Sequence, residues 1–246
     1  MTLKPVQTCA LCLSLLTSLS VATAKPVALK VTLPAVANNS PIPADYAFCV
    51  EDGKGKGSLG ANKSPEVRWE GAPKGTKSFA LLAYDPVVPT KPDNVNKEGK
   101  TVSRDLPRFD FYHWVLVDIP ASRTMIPAGA ESDKVTPKGK PAGAQPHGLR
   151  GLNNYGDWFS GDKDMGGDYA GYDGPCPPWN DELVHEYHFK VFALDVERLE
   201  LKGKFKAQDV LKAMKGHILA QGESVGLYKL NTKVAYPAQP SATPKK

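Results

Sequence analysis

The sequence predicts a mainly β protein, an antiparallel two-sheet sandwich with one C-terminal helix. Three observations carry this. Segments 77–85 (KSFALLAYD), 113–119 (HWVLVDI) and 185–195 (HEYHFKVFALD) are apolar runs of strand length. Gly and Pro number 22 each, above the usual combined share of about 12%, and they cluster between such runs with no G-x-y period. A single stretch, 206–220, spaces its apolar residues as a helix does, with Val210, Leu211, Met214, Ile218 and Leu219.

Taken in order, residues 1–24 read as a secretory signal peptide. Lys4 gives a basic start, 9–22 carry no charge, and Ala22-Thr23-Ala24 is a small-x-small cleavage site before Lys25. The run is too short for a spanning helix, which needs about 20 apolar residues. A lipoprotein signal would want a small residue before the modified Cys, but Leu11 precedes Cys12 and Thr8 precedes Cys9. The expectation is an exported protein, periplasmic or secreted, with no transmembrane segment.

Residues 25–236 read as one domain. Val27, Leu29, Val31 and Leu33 alternate as a first strand, and 51–64 form a Gly/Lys loop. Val67-Arg68-Trp69 precede a turn at 71–75. Strand 77–85 is followed by a long polar loop, 86–110, and strand 113–119 by a second, 120–182, rich in Gly, Pro, Asp and Asn. A loop of that length in a compact domain points to function. The strand 185–195, the helix and a last strand, 225–230, complete the domain; the Pro-rich end, 237–246, reads as a disordered tail.

The formal charge is +5, from 31 basic and 26 acidic residues, with no basic block to follow a phosphate backbone. Nucleic acid is therefore not an expected partner. Loss of the signal would remove Cys9 and Cys12 and leave Cys49 and Cys176. In an oxidising compartment these two either bridge or remain separate buried thiols. A bridge would close a loop worth at most about 4–5 kcal/mol in the chain-entropy model.

Strand alternation then places the polar residues. Phe79, Leu81 and Ala83 share a face with Asp85. Val115, Val117 and Ile119 share one with His113. Phe189, Val191 and Ala193 share one with His185 and Tyr187. If 77–85 and 113–119 pair antiparallel, Asp85 and His113 meet at one end of the sandwich, where His185 and Tyr187 complete the set. The alternative is a row of strand caps at a wet rim.

Several blocks resemble the phosphatidylethanolamine-binding protein family, and most of all its bacterial Raf-kinase-inhibitor-like branch. They are Tyr84-Asp85-Pro86, His113-Trp114-Val115, the run from Gly171-Tyr172-Asp173-Gly174 through Pro175-Cys176-Pro177-Pro178, and His185-Glu186-Tyr187-His188-Phe189. Supporting blocks are Asn62-Lys63-Ser64-Pro65, Asn153-Asn154-Tyr155-Gly156 and 213–219. The resemblance implies a β-sandwich with a small anion pocket for a phosphate-bearing small molecule or lipid headgroup. It implies Asp85, His113, His185 and Tyr187 as pocket side chains, and Gly174, Cys176 and Pro177 in its wall with a backbone N–H near Cys176. It also favours a bridge between Cys49 and Cys176, both near family motifs. Imidazole, phenol and backbone N–H are donors that a charged acceptor strengthens. Asp85 would accept from an imidazole and favour its protonated form. No catalytic residue, metal or cofactor is implied.

The chain departs from the family pattern at Val87, where a second acid is usual, and at Glu186, where Arg is usual. Loop 86–110 is longer than the family leads one to expect. Three motif matches are rejected. Gly55 to Gly60 spells G-x-G-x-x-G with no helix to follow, and Gly222 to Gly226 spells G-x-S-x-G with helix before and strand after. His185 and His188 would point to opposite strand faces, which disfavours a shared metal. The expected function is a non-enzymatic binding module. The alternatives are a secreted regulator that binds a protein partner, such as a kinase or protease, and, less favoured, an unrecognised hydrolase.

Overall fold

A computed structural model describes residues 27–238. The signal-peptide reading of 1–24 and residues 239–246 of the expected tail lie outside the described residues. In chain order the elements are β1 (Val27–Ala28), β2 (Lys30–Thr32), β3 (Ser40–Pro41), a 3-10 turn at Ala44–Tyr46, β4 (Cys49–Glu51), β5 (Gly57–Leu59) and β6 (Val67–Glu70). Then come β7 (Ser78–Pro89), β8 (Arg108–Pro120), β9 (Met125–Ile126), β10 (Gly143–Gln145), β11 (Gly148–Arg150) and α1 (Tyr155–Trp158). The last elements are β12 (His185–Leu194), α2 (Ala207–Ala213) and β13 (Ile218–Tyr228).

One large sheet runs β1-β13-β12-β7-β8-β11-β10, with β3 also beside β13. A three-stranded sheet, β2-β6-β9, packs on one of its faces. Val31, Val67, Trp69 and Ile126 of the small sheet meet Phe79, Leu81, Trp114, Leu116, Phe189 and Val191 of the large one. This is the expected sandwich. Its other face is covered as well: Ala80, Leu82, Val115, Val117, Phe192 and Leu194 pack under Leu199 and Phe205 on the approach to α2, Val210 within it and Met214 at its C-terminal end. Burial on both faces is why the central strands read as nearly continuous apolar runs. Each fully buried large side chain is worth roughly 1.5–3 kcal/mol.

Three expectations change. In β8 the face toward the small sheet is Trp114, Leu116 and Ile119, whereas Val115 and Val117 face α2. Strict alternation fails because the β7–β8 register slips at two places in β8. Phe79 pairs with Ile119 but Leu81 with Leu116, and the extra residue, Asp118, has φ 52°. Ala83 pairs with Trp114 but Tyr84 with Tyr112, so His113 is the extra residue of a bulge. The predicted helix 206–220 stops at Ala213; Gly216, at φ 88°, turns the chain, and Ile218 and Leu219 open β13 rather than extend the helix. The long loop 86–110 narrows to 90–107, because β7 and β8 extend across its ends.

Candidate functional site

Four strand positions converge below a cleft. Asp85 sits near the end of β7, His113 on the β8 bulge, and His185 and Tyr187 at the start of β12. All four are buried and line one pocket, with Cys176, Pro177 and Pro178 in its wall and Phe111, Tyr155 and Trp158 around it. The cavity volume is about 70 Å³. Gly174 is not in the lining. Its N–H donates to Asn62 Oδ1 (2.8 Å) and its carbonyl accepts from the Tyr155 hydroxyl (2.7 Å). A Cβ there would lie 2.0 Å from the Tyr46 carbonyl oxygen, so only glycine fits.

The wall loop is held by a buried hub. Asp173 accepts from Asn62 Nδ2 (2.8 Å) and Lys140 Nζ (2.6 Å) on Oδ1, and from Asn153 Nδ2 (2.9 Å) on Oδ2. Its backbone N–H donates to the His113 carbonyl (2.9 Å). The blocks around Asn62, Asn153 and Asp173, which stand far apart in the sequence, thus meet at one carboxylate. Beyond the hub, Cys176 is bonded to Cys49 in a disulfide that spans 127 residues of sequence.

The two pocket histidines differ sharply. His185 donates from Nδ1 to Asp85 Oδ2 (2.6 Å) and from Nε2 to Asp181 Oδ2 (3.2 Å). Burial alone would lower its pKa, but the two carboxylates outweigh burial and carry it to about 9. Burial likewise opposes ionisation of Asp181, yet hydrogen bonds from His185 and Arg108 leave its pKa lowered. Arg108 forks onto Asp181, Nη1 to Oδ2 at 2.6 Å and Nη2 to Oδ1 at 3.2 Å. This network, which reaches the pocket through Asp85 and His185, therefore balances two carboxylates with an imidazolium and a guanidinium. His185 thus lines the pocket with both ring nitrogens engaged by carboxylates.

His113 is the ring left open. Its Nδ1 donates to the Asp173 carbonyl (2.8 Å), so in the neutral ring Nε2 is an acceptor. That Nε2 is buried and has no partner. Burial pushes the His113 pKa down. Phe111, Tyr155 and Tyr187 pack around the ring with centroids 5.0–5.5 Å away. Burial and the Asp85 charge raise the Tyr187 pKa well above its ordinary value, keeping the phenol a donor.

Sequence reasoning missed Asp181 and Arg108. Asp181 lies four residues before His185, outside the strand alternation, and Arg108 stood in a stretch read as loop. Val87, in place of the usual second acid, serves through its backbone: its N–H donates to Asp85 Oδ1 (2.7 Å) and its carbonyl accepts from Arg108 Nη1 (2.8 Å). Glu186 is exposed and lies 3.5 Å from His188 Nε2, outside the pocket lining. His188 stacks on Tyr84 at 5.0 Å, apart from His185. Among the described residues no group of three or more His, Cys, Asp or Glu is arranged to hold a metal ion. No described helix is long and apolar enough to cross a membrane.

Comparison with known proteins supplies the family. The model for phosphatidylethanolamine-binding protein matches residues 32–229. UPF0098 protein YbcL of Escherichia coli K12 is 30% identical over 207 residues, 84% of this chain and 91% of that protein. A UPF0098 protein of Aquifex aeolicus is 35% identical over 172 residues, covering 69% and 76% respectively. The crystal structure of Escherichia coli YbcL, described as a new member of the mammalian PEBP family, superposes with a TM-score of 0.57 at 27% identity. That match covers 82% of this chain and 98% of the other. With its sandwich, its end-on pocket and this match, the chain belongs to the phosphatidylethanolamine-binding protein family.

Proposed function

We propose that this protein is an exported, non-enzymatic binding protein whose pocket takes a small phosphate-bearing group, free or as a lipid headgroup. One observation carries the reading: the buried, unpartnered Nε2 of His113 on the pocket floor. An orphaned acceptor in that position costs free energy until a ligand supplies a proton donor. A phosphate monoanion brings one in its P–OH, along with oxygens that accept from the Tyr187 hydroxyl. The same complex forms if a dianion meets protonated His113, so one proton lies between Nε2 and the phosphate in either description. Cys176 is tied up in its disulfide and offers the pocket no thiolate nucleophile. The upstream reading of 1–24 as a signal peptide supports export, where such a disulfide persists.

The proton count sets the test. The bound state holds one more proton than free neutral His113 and phosphate dianion, so affinity must rise as pH falls. Calorimetry with phosphoethanolamine should find tighter binding at pH 6 than at pH 8. His113→Gln should cost about 1.5–3 kcal/mol of binding at pH 6, the value of a hydrogen bond to a charged group. Equal affinity at both pH values, in wild type and variant alike, would remove His113 from the site and the phosphate reading with it.

A further inference from the structure

The pocket has a buried floor and an exposed mouth, and one length of chain forms part of the mouth. Asp85, His113, His185 and Tyr187 are buried, whereas Val95 is half-buried and Asn96 and Trp158 are exposed. Val95 and Asn96 belong to the connection 90–107 between β7 and β8, which contains no helix and only an isolated bridge, Val102 with Asp181. Irregular connections of this length in a compact domain usually serve a function.

Besides this strap's own turn hydrogen bonds, one side chain ties several of its residues together. Asn180, 7% exposed, donates its amide to the carbonyls of Asn94 (2.9 Å), Lys100 (3.0 Å) and Lys97 (3.3 Å). Its Oδ1 accepts the Asn96 N–H (3.0 Å). Asn96 reciprocates, accepting the Trp179 N–H on its own Oδ1 (3.0 Å), with its backbone at φ 56°, a left-handed conformation that Asn tolerates. Val102 closes the far end, donating to the Asn180 carbonyl and accepting from the Glu182 N–H, both at 3.1 Å. If the strap lifted, the Asn180 amide would exchange all four of these partners for water, so the four bonds together favour the closed arrangement. Asn180 does not line the pocket. It is instead the neighbour of Asp181, whose carboxylate holds His185.

We infer that segment 94–102, latched by Asn180, is the size filter of the pocket: a free phosphomonoester reaches His113, whereas the headgroup of a phospholipid anchored in a bilayer does not. This rests on the phosphate-group reading and adds the source of that group. Val95 and Asn96 of the strap, with Trp158, line the same cavity of about 70 Å³ as His113. A free monoester can enter in any orientation. A headgroup held at a membrane surface presents the mouth with its glycerol and its lipid neighbours. Asn180 acts as a positioning residue, through the strap.

The test compares wild type with Asn180→Ala and with Asn180→Asp, which keeps the acceptor for the Asn96 N–H but loses the donors. Phosphoethanolamine binding is measured by calorimetry, and binding to vesicles of phosphatidylethanolamine and phosphatidylcholine by flotation. Amide hydrogen exchange at Asn96 and Val102 reports the latch itself. Wild type should bind phosphoethanolamine and leave the vesicles unbound. Asn180→Ala should exchange at both amides at least about 10-fold faster, with Asn180→Asp between it and wild type at Asn96, whose acceptor it keeps; both variants should keep phosphoethanolamine affinity within about 3-fold and gain vesicle binding. Wild type that floats with the vesicles, or variants with a loosened strap and unchanged selectivity, would overturn the filter while leaving the phosphate site standing. Wild type that binds neither ligand would overturn the phosphate site and the filter together.

Discussion

Two buried carboxylate clusters lie within a few residues of the same pocket, and they end differently. Around Asp173 both carboxylate oxygens are taken, by Asn62 and Lys140 on one and Asn153 on the other. Around Asp85, His185 and Asp181 the carboxylates and the imidazolium are equally well partnered. The next ring, His113, keeps one nitrogen open. A saturated polar network rigidifies, whereas an open acceptor on a rigid support is prepared for something from outside. The Asp173 hub is scaffold, and it is also what aims the open acceptor, because its carbonyl takes the Nδ1–H of His113.

The largest effect should come from breaking the scaffold. Asp173→Ala leaves Lys140, 11% exposed, without its carboxylate and strips partners from Asn62 and Asn153. Removing one member of a buried pair costs about 3–5 kcal/mol, which urea denaturation will read directly. A loss below about 1 kcal/mol would mean the hub is no more than a surface cluster.

The second effect separates the two histidines by the sign of their pH dependence. The folded pKa of His185, about 9, lies above the unfolded value near 6.5. Its contribution to stability is full below pH 6.5 and is lost as pH rises toward 9, on the order of 3 kcal/mol across that window. The His113 pKa is lowered instead, so its contribution is full above pH 6.5 and is lost as pH falls. His185→Gln should abolish the alkaline slope and leave the acid one. A wild-type stability profile flat between pH 6.5 and 9 would show that His185 is not held as a cation.

The smallest effect concerns the unusual Glu186. Restoring the family's Arg by Glu186→Arg should change phosphoethanolamine affinity by less than ~0.5 kcal/mol, as for a surface substitution, because the side chain lies outside the pocket lining. A gain of tenfold or more in a titration would place position 186 in the site and weaken the contrast between floor and rim.

Much of this was legible in the chain. The three main strands announce themselves as apolar runs, and the polar residues at their ends are the ones that meet. His113 reaches the pocket by a route alternation does not describe. Counting back from Val115 and Val117 places it with the face that packs against α2, and only the bulge returns it to the other side. Helical spacing overruns the helix for a related reason: Ile218 and Leu219 fit that spacing, but pairing of β13 with β12 claims them for the sheet.

By itself, the sequence determined what depends on local chemistry: which runs are apolar enough to become core strands, where Gly and Pro interrupt them, and which motif residues belong to a known family. Tertiary structure alone decided what depends on partners distant in the chain. That Asp85 and Asp181 take both nitrogens of His185 is visible only in three dimensions, and Arg108 reads as part of a loop until it forks onto Asp181. Whether a polar atom is satisfied is a property of its neighbours in space. The same imidazole is a charged strut at position 185 and an open acceptor at position 113, because burial and the carboxylates around each ring, rather than residue type, set its proton and its free nitrogen.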